Sequence, residues 1–197
     1  MDVNDNINLE HEARVMVNEE QYFNIRNHYL VLDYPKEEIV NENYYFDTED
    51  LKLTNSHKVL RLRKINNDKY ELTLKIQGVD GAIEMNHLLT DIEKDELINK
   101  SLLSYKPIID KLLEYGIDYR KIKYITNLKT ERLEIKLDKS LLVIDKNYYR
   151  NKIDYNLEVE SDAEERAESE LLAIIKPFGI TYKKDYINKA KRAIYNL

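Results

Sequence analysis

Val59-Leu60-Arg61-Leu62-Arg63 and Tyr70-Glu71-Leu72-Thr73-Leu74-Lys75-Ile76-Gln77 decide how this chain folds. In both stretches apolar and polar residues alternate with a period of two, the mark of a strand whose side chains point to opposite faces. Leu60 and Leu62 oppose Arg61 and Arg63, while Tyr70, Leu72, Leu74 and Ile76 oppose Glu71, Thr73, Lys75 and Gln77. The same rhythm opens the chain, where Ile7, Leu9, Ala13, Val15 and Val17 share one face and Glu10, Glu12 and Arg14 the other. It returns near the end, where Tyr155, Leu157 and Val159 oppose Asn156, Glu158 and Glu160.

Further strands are predicted around residues 44–48, 84–89, 124–136 and 141–148, giving about eight in all, mostly in hairpin-like succession. Asn66-Asn67-Asp68 and Arg150-Asn151-Lys152 read as short connections. Helices are predicted over 19–32, with Asn18 as N-cap and Tyr22, Ile25 and Tyr29 as the apolar stripe, and over 94–103. Three more are predicted over 108–115, stopping at Gly116, over 162–178, with acids in its first turn, and over 185–195. Strands outnumber helices and antiparallel neighbours dominate, so the class is α+β with a large antiparallel sheet or barrel.

Composition narrows the function. The 197 residues suit one domain with a real core, and no stretch reads as a linker or a repeat, so 1–197 is read as a single unit. At 43% hydrophobic and 35% charged the chain is too apolar for disorder and too charged for a membrane protein. No apolar run approaches the roughly 20 residues of a spanning helix, and the N-terminus lacks the features of a secretion signal. The absence of cysteine removes disulfides, thiolate metal sites and cysteine nucleophiles, and suits a cytoplasmic location. A net charge of −6 argues against bulk nucleic-acid binding. The sequence carries no signal of oligomeric state.

Taken alone, alternation makes the charged faces the solvent side of half-buried sheets. Their clustering points elsewhere. Arg61-x-Arg63, Lys75 and Arg132 gather cations on the middle strands, and Glu10-x-Glu12 and Glu158-x-Glu160 gather acids on the first and last. If those outer strands meet in a closed barrel, four carboxylates converge, and such oxygen ligands suit Mg2+ or Mn2+. A facing wall of guanidiniums matches the oxygens of phosphate bidentately. The histidines show no ligand spacing, and His11, out of phase with Glu10 and Glu12, is expected to pack outside. The tyrosines are expected in packing roles, and the Lys183-Lys184 and Lys189 to Arg192 patch either draws polyanions or is a helix's outer side.

In that pattern the chain resembles the CYTH domains, the triphosphate tunnel metalloenzymes. Glu10-His11-Glu12-Ala13-Arg14 is similar to their E-x-E-x-K signature, Tyr45-Phe46-Asp47-Thr48 to "YFDT", Leu60–Arg63 to "LRxR" and Leu72–Lys75 to "LTLK". Thr130-Glu131-Arg132, Asp145, Leu157-Glu158-Val159-Glu160 and Asn188-Lys189 follow in the family's order, so the likeness spans residues 7 to about 192. The resemblance implies an eight-stranded antiparallel barrel with helices outside and the charged faces turned into a tunnel. It implies that Arg14, Arg61, Arg63, Lys75, Arg132 and Lys189 grip a triphosphate. Glu10, Glu12, Glu158 and Glu160 would hold one or two divalent cations, Mg2+ or Mn2+, with Asp145 lining the site; Glu84 and Glu134 join as further lumen residues. These four glutamates and Lys75 are the expected catalytic groups. Arg14 departs from the family's lysine: it keeps the charge but cannot release a proton.

The implied activity is metal-dependent triphosphate hydrolysis, and the implied partner is a triphosphate-bearing small molecule, with a 5′-triphosphorylated RNA end among the candidates. Two alternatives share the residues: a class IV-type adenylate cyclase making cyclic AMP and pyrophosphate, and a non-catalytic module binding polyphosphate or nucleotides. The intact acids favour an enzyme.

Overall fold

The apolar halves of the alternating strands need cover, and they find it on the outside of a closed ring. The structure is a computed structural model describing residues 6–66, 69–78, 81–184 and 187–197, with side chains described from His11 onward. The strands are β1 (Asn6–Val17), β2 (Lys36–Asp47), β3 (Lys58–Ile65), β4 (Lys69–Gly78), β5 (Gly81–Leu88), β6 (Lys123–Lys136), β7 (Ser140–Tyr149) and β8 (Lys152–Ser161). The helices are α1 (Glu19–Val31), α2 (Lys52–Asn55), α3 (Asp91–Lys100), α4 (Lys106–Glu114), α5 (Glu164–Ile175) and α6 (Lys189–Tyr195). The eight strands close in the order β1-β5-β4-β3-β2-β6-β7-β8, each pair antiparallel. β1 makes the closure, because residues 6–10 pair with β5 and residues 11–17 with β8.

Two apolar layers clothe the ring. On one side Leu60, Leu62, Leu72 and Leu74 are fully buried against Leu53 of α2, Leu97 of α3 and Ile108 and Leu112 of α4. On the other Ala13, Val15, Leu133, Ile144, Leu157 and Val159 pack on Tyr22 and Ile25 of α1 and on Ala167, Leu171 and Ile175 of α5. Burying each such leucine contributes roughly 1.5–3 kcal/mol. Tyr45, Leu128 and Tyr149 meet Ala190 and Ala193 of α6 in a smaller third cluster. The charged strand faces therefore turn inward, which corrects the solvent-face reading that alternation gives by itself. No helix among the described residues is long and apolar enough to cross a membrane.

Local signals place most boundaries. Asn18 caps α1 as predicted, its side chain accepting from the Gln21 amide at 2.9 Å while Gln21 accepts from the Asn18 amide at 3.0 Å. Thr90 and Glu93 form the same reciprocal pair at α3. β2 starts at Lys36, well before the predicted 44, because its first residues pair with β6 while exposing Lys36, Glu37, Glu38 and Val40, leaving no apolar alternation to read. α3 runs 91–100, three residues earlier than predicted, and α5 gives way to a 3₁₀ turn at Lys176–Phe178. Asn67 and Asp68 of the predicted turn, and Asp185 and Tyr186 of the predicted last helix, lie outside the described residues.

α2 is absent from the sequence reading for a physical reason. It has no local N-cap side chain; instead the carboxyl of Asp47, at the end of β2, caps it from outside. Asp47, 1% exposed, accepts from the amides of Thr48 (2.7 Å), Leu53 (2.9 Å) and Thr54 (2.9 Å) and from the Thr54 hydroxyl (2.7 Å). Replacing it by alanine would strand buried donors. Asp47→Ala is expected to lower the free energy of urea unfolding by about 2–3 kcal/mol with an unchanged m-value; a loss under about 1 kcal/mol would contradict this role.

Candidate active site

Turning the polar faces inward gathers the charged residues around one cavity of about 540 Å3. β3 contributes Arg61 and Arg63, β4 Lys75, β6 Arg132 and Glu134, β8 Glu158 and Glu160, β1 Glu12 and Arg14, β5 Glu84 and α6 Lys189. Glu10 stands opposite Ala82 on the backbone of β1, and its side chain lies outside the described residues. Asp145 does not border the cavity. It is fully buried behind the wall, where Arg132 grips it twice at 2.9 Å and Lys189 approaches to 2.6 Å, so it braces those two cations rather than facing a ligand.

Most of the cations are already matched. Arg14 lies 2.5 Å from Glu12 and 3.1 Å from Glu158; Lys75 lies 2.9 Å from Glu84 and 3.7 Å from Glu12. Lys189 also reaches Glu158 at 2.8 Å, and Arg132 stands 3.4 Å from both Glu134 and Glu158 and 4.0 Å from Glu160. Burial alone would raise the Glu158 carboxyl, but Lys189, Arg14 and Arg132 outweigh it and hold it far below the usual carboxylate range. Glu12 is likewise lowered, against burial, by Lys75 and Arg14.

Arg61 and Arg63 differ. Among the described residues neither reaches a carboxylate; Arg61 donates to the Thr73 hydroxyl at 3.3 Å and Arg63 to the Asn43 side-chain oxygen at 3.2 Å. Burial, with Arg61 and Arg132 nearby, pulls the Arg63 guanidinium down to about 10. Two adjacent enclosed guanidiniums with neutral partners are a site for an anion with several oxygens.

The acids offer oxygen only. Glu12 and Glu160 are cross-strand partners on β1 and β8, each more than a quarter exposed to the cavity, with Glu158 on the same face. Among the described residues no three acidic or histidine side chains converge tightly enough to hold an ion as they stand. The donor set nevertheless fits a hard divalent cation such as Mg2+ or Mn2+, which takes carboxylate oxygens and keeps waters.

Several cavity residues escaped the sequence reading. Asn41, Asn43 and Tyr45 line it from β2, Thr73 from β4 and Thr130 from β6. Their period-two spacing at 41, 43 and 45 was the available signal, but uncharged side chains do not stand out. His11 borders the cavity instead of packing outside, at the point where β1 leaves β5 for β8. Lys184 and Lys191 reach the rim, which settles the basic patch as partly facing the cavity.

The charge balance has a pH signature. Burial pushes the Glu84 carboxyl up, yet Lys75 and Arg61 overcome it and bring it to about 2, below its ordinary 4.5. A folded-state value below the unfolded one stabilises the fold fully above about pH 4.5 and stops doing so as pH falls toward 2. Urea midpoints are expected to drop across that window, and Lys75→Met to flatten the drop; parallel profiles for the two proteins would contradict the assignment.

Comparison with known proteins agrees with this geometry. The CYTH domain model matches residues 8–188. A Bacillus subtilis protein named "Putative triphosphatase YjbK" is 33% identical over 153 residues, 78% of this chain and 77% of its own. A Bacillus halodurans crystal structure called a "putative adenylate cyclase" superposes with a TM-score of 0.85 at 26% identity, covering 94% of this chain and 97% of that one. HpAC1 from Hippeastrum, a "putative adenylyl cyclase" described as having a dominant triphosphatase activity, shares the fold at 18% identity and a TM-score of 0.76, over 95% and 96% of the two chains. With all of the barrel but the first two residues of β1 inside the matched span and the charged motifs gathered around one lumen, the chain belongs to the CYTH domain family.

Proposed function

We propose that this chain hydrolyses a triphosphate, either inorganic tripolyphosphate or a triphosphorylated organic molecule, inside the barrel and with Mg2+ or Mn2+. The observation that carries the reading is the pair Arg61 and Arg63, enclosed side by side without a carboxylate among the described residues while the neighbouring cations are matched. The name of the B. subtilis relative supports a triphosphatase.

Arg61 and Arg63 would take the non-bridging oxygens of the inner phosphates in forked hydrogen bonds. Arg132, fixed by Asp145, would add a third guanidinium, and Arg14 would act as a clamp without proton transfer. Lys75 and Lys189 would turn from Glu84 and Glu158 toward the phosphate oxygens, neutralising the charge that gathers on the leaving group. Glu12, Glu158 and Glu160, with Glu10, would be the carboxylates that hold the cation, Glu158 being eased by the departure of Lys189. When bound, the cation would polarise phosphate oxygens and acidify a water. A cytoplasmic location is part of this proposal, and a chain without cysteine suits such a reducing compartment.

Orthophosphate and pyrophosphate release from tripolyphosphate, ATP and thiamine triphosphate tests this. Orthophosphate from tripolyphosphate is expected with Mg2+ or Mn2+ and is expected to vanish with EDTA. Glu158→Gln is expected to lose at least about a hundredfold in turnover while still binding tripolyphosphate. Pyrophosphate and cyclic AMP from ATP would install the cyclase instead; tight binding with no product would leave the non-catalytic module.

A further inference from the structure

α6 brings Lys189 to the lumen, and it is a poor helix for holding anything in place. It has seven residues, too few to persist by propensity, and its buried apolar side chains are the small Ala190 and Ala193. Three residues after Lys189, on the same face, Arg192 is 5% exposed and does not line the cavity. Its guanidinium points in three directions. Nε lies 2.9 Å from the Asp154 carboxyl, Nη2 donates to the Asn156 side-chain oxygen at 3.2 Å and Nη1 donates to the Ile187 carbonyl at 3.0 Å. Asp154 is itself fixed by the Asn147 amide at 2.9 Å and the Tyr149 hydroxyl at 2.7 Å. The Ile187 carbonyl also accepts from Arg14 at 3.0 Å.

We propose that Arg192 is a positioning residue: through Asp154, Asn156 and the Ile187 carbonyl it sets how far Lys189 enters the lumen and where Arg14 aims. This rests on the reading above, in which Lys189 and Arg14 contact the phosphates. A slip of a single residue along the helix is about 1.5 Å, enough to part Lys189 from partners now 2.6 and 2.8 Å away. Only a planar fork serves three fixed acceptors at once; an ammonium would keep the pull of Asp154 and lose the orientation. The far end of the helix is held separately. Arg150 donates to the Ile194 carbonyl and Lys152 to that of Asn196. Removing the Arg192 side chain therefore leaves α6 attached but free to turn.

Calorimetric titration with tripolyphosphate in EDTA, where turnover is absent, tests the role. Arg192→Met is expected to weaken binding about tenfold, as the loss of one charge-assisted contact would. Arg192→Lys is expected to recover part of that. In a Lys189→Met background Arg192→Met is expected to add little, because the contact it positions is already gone. Binding by Arg192→Met equal to that of the unsubstituted protein, or a full tenfold loss added to that of Lys189→Met, would overturn the proposal. Should Arg192→Met not fold, Asp154→Asn carries the same expectations from the other partner. Failure of the unsubstituted protein to bind tripolyphosphate would sink the proposed function alone. A crystal structure of Arg192→Met then decides this point: Lys189 displaced from Asp145 upholds it, and Lys189 in place refutes it.

Discussion

A guanidinium shut away from water must find an anion or lose much of the stability of its charge, and the interior of this barrel is organised around that requirement. Arg132 is clasped by Asp145, Arg14 by Glu12 and Glu158, and Lys189 by Asp145 and Glu158. Among the described residues Arg61 and Arg63, in the same enclosure, hydrogen-bond to a hydroxyl and an amide and form no ion pair, with Glu84 acting on them only from a distance. Among the described residues these two guanidiniums are the ones that no carboxylate contacts, and under the proposed function they are what would recognise a polyanion. A low effective dielectric strengthens the ion pairs already made and would strengthen equally those that the proposed polyanion would form.

Closure of the ring is what makes the enclosure. β1 passes from β5 to β8 partway along its length, so the acids of the first and last strands face each other across one pairing, Glu12 beside Glu160 and Arg14 beside Glu158. An open sheet with the same residues would leave those side chains in water, where the pairs would contribute little. The helices make this inversion possible by covering the outer apolar faces, which a barrel with a polar interior cannot bury within itself.

Much of this was legible because strand alternation and charge reinforce each other. Leu-Arg-Leu-Arg at 60–63 and Leu-Glu-Val-Glu at 157–160 announce both the strands and which residues share a face. Alternation taken alone puts the charged faces in water; the clustering of the charges and the ordered family motifs are what point them inward. Asp145 was legible as a charged strand residue but not as a brace behind the wall, because depth depends on how Arg132 and Lys189 lie over it. Likewise the first half of β2 was hidden by exposure on both faces, α2 by a cap contributed from Asp47, and the role of Arg192 by two side-chain partners on β8, Asp154 and Asn156, more than thirty residues away in sequence.

A crystal structure of Glu158→Gln with tripolyphosphate bound tests the central claim most directly. Phosphate oxygens within hydrogen-bond distance of both Arg61 and Arg63, inside the barrel, are the predicted result. Tripolyphosphate seated only at the rim, with Arg61 and Arg63 still on Thr73 and Asn43, would contradict it.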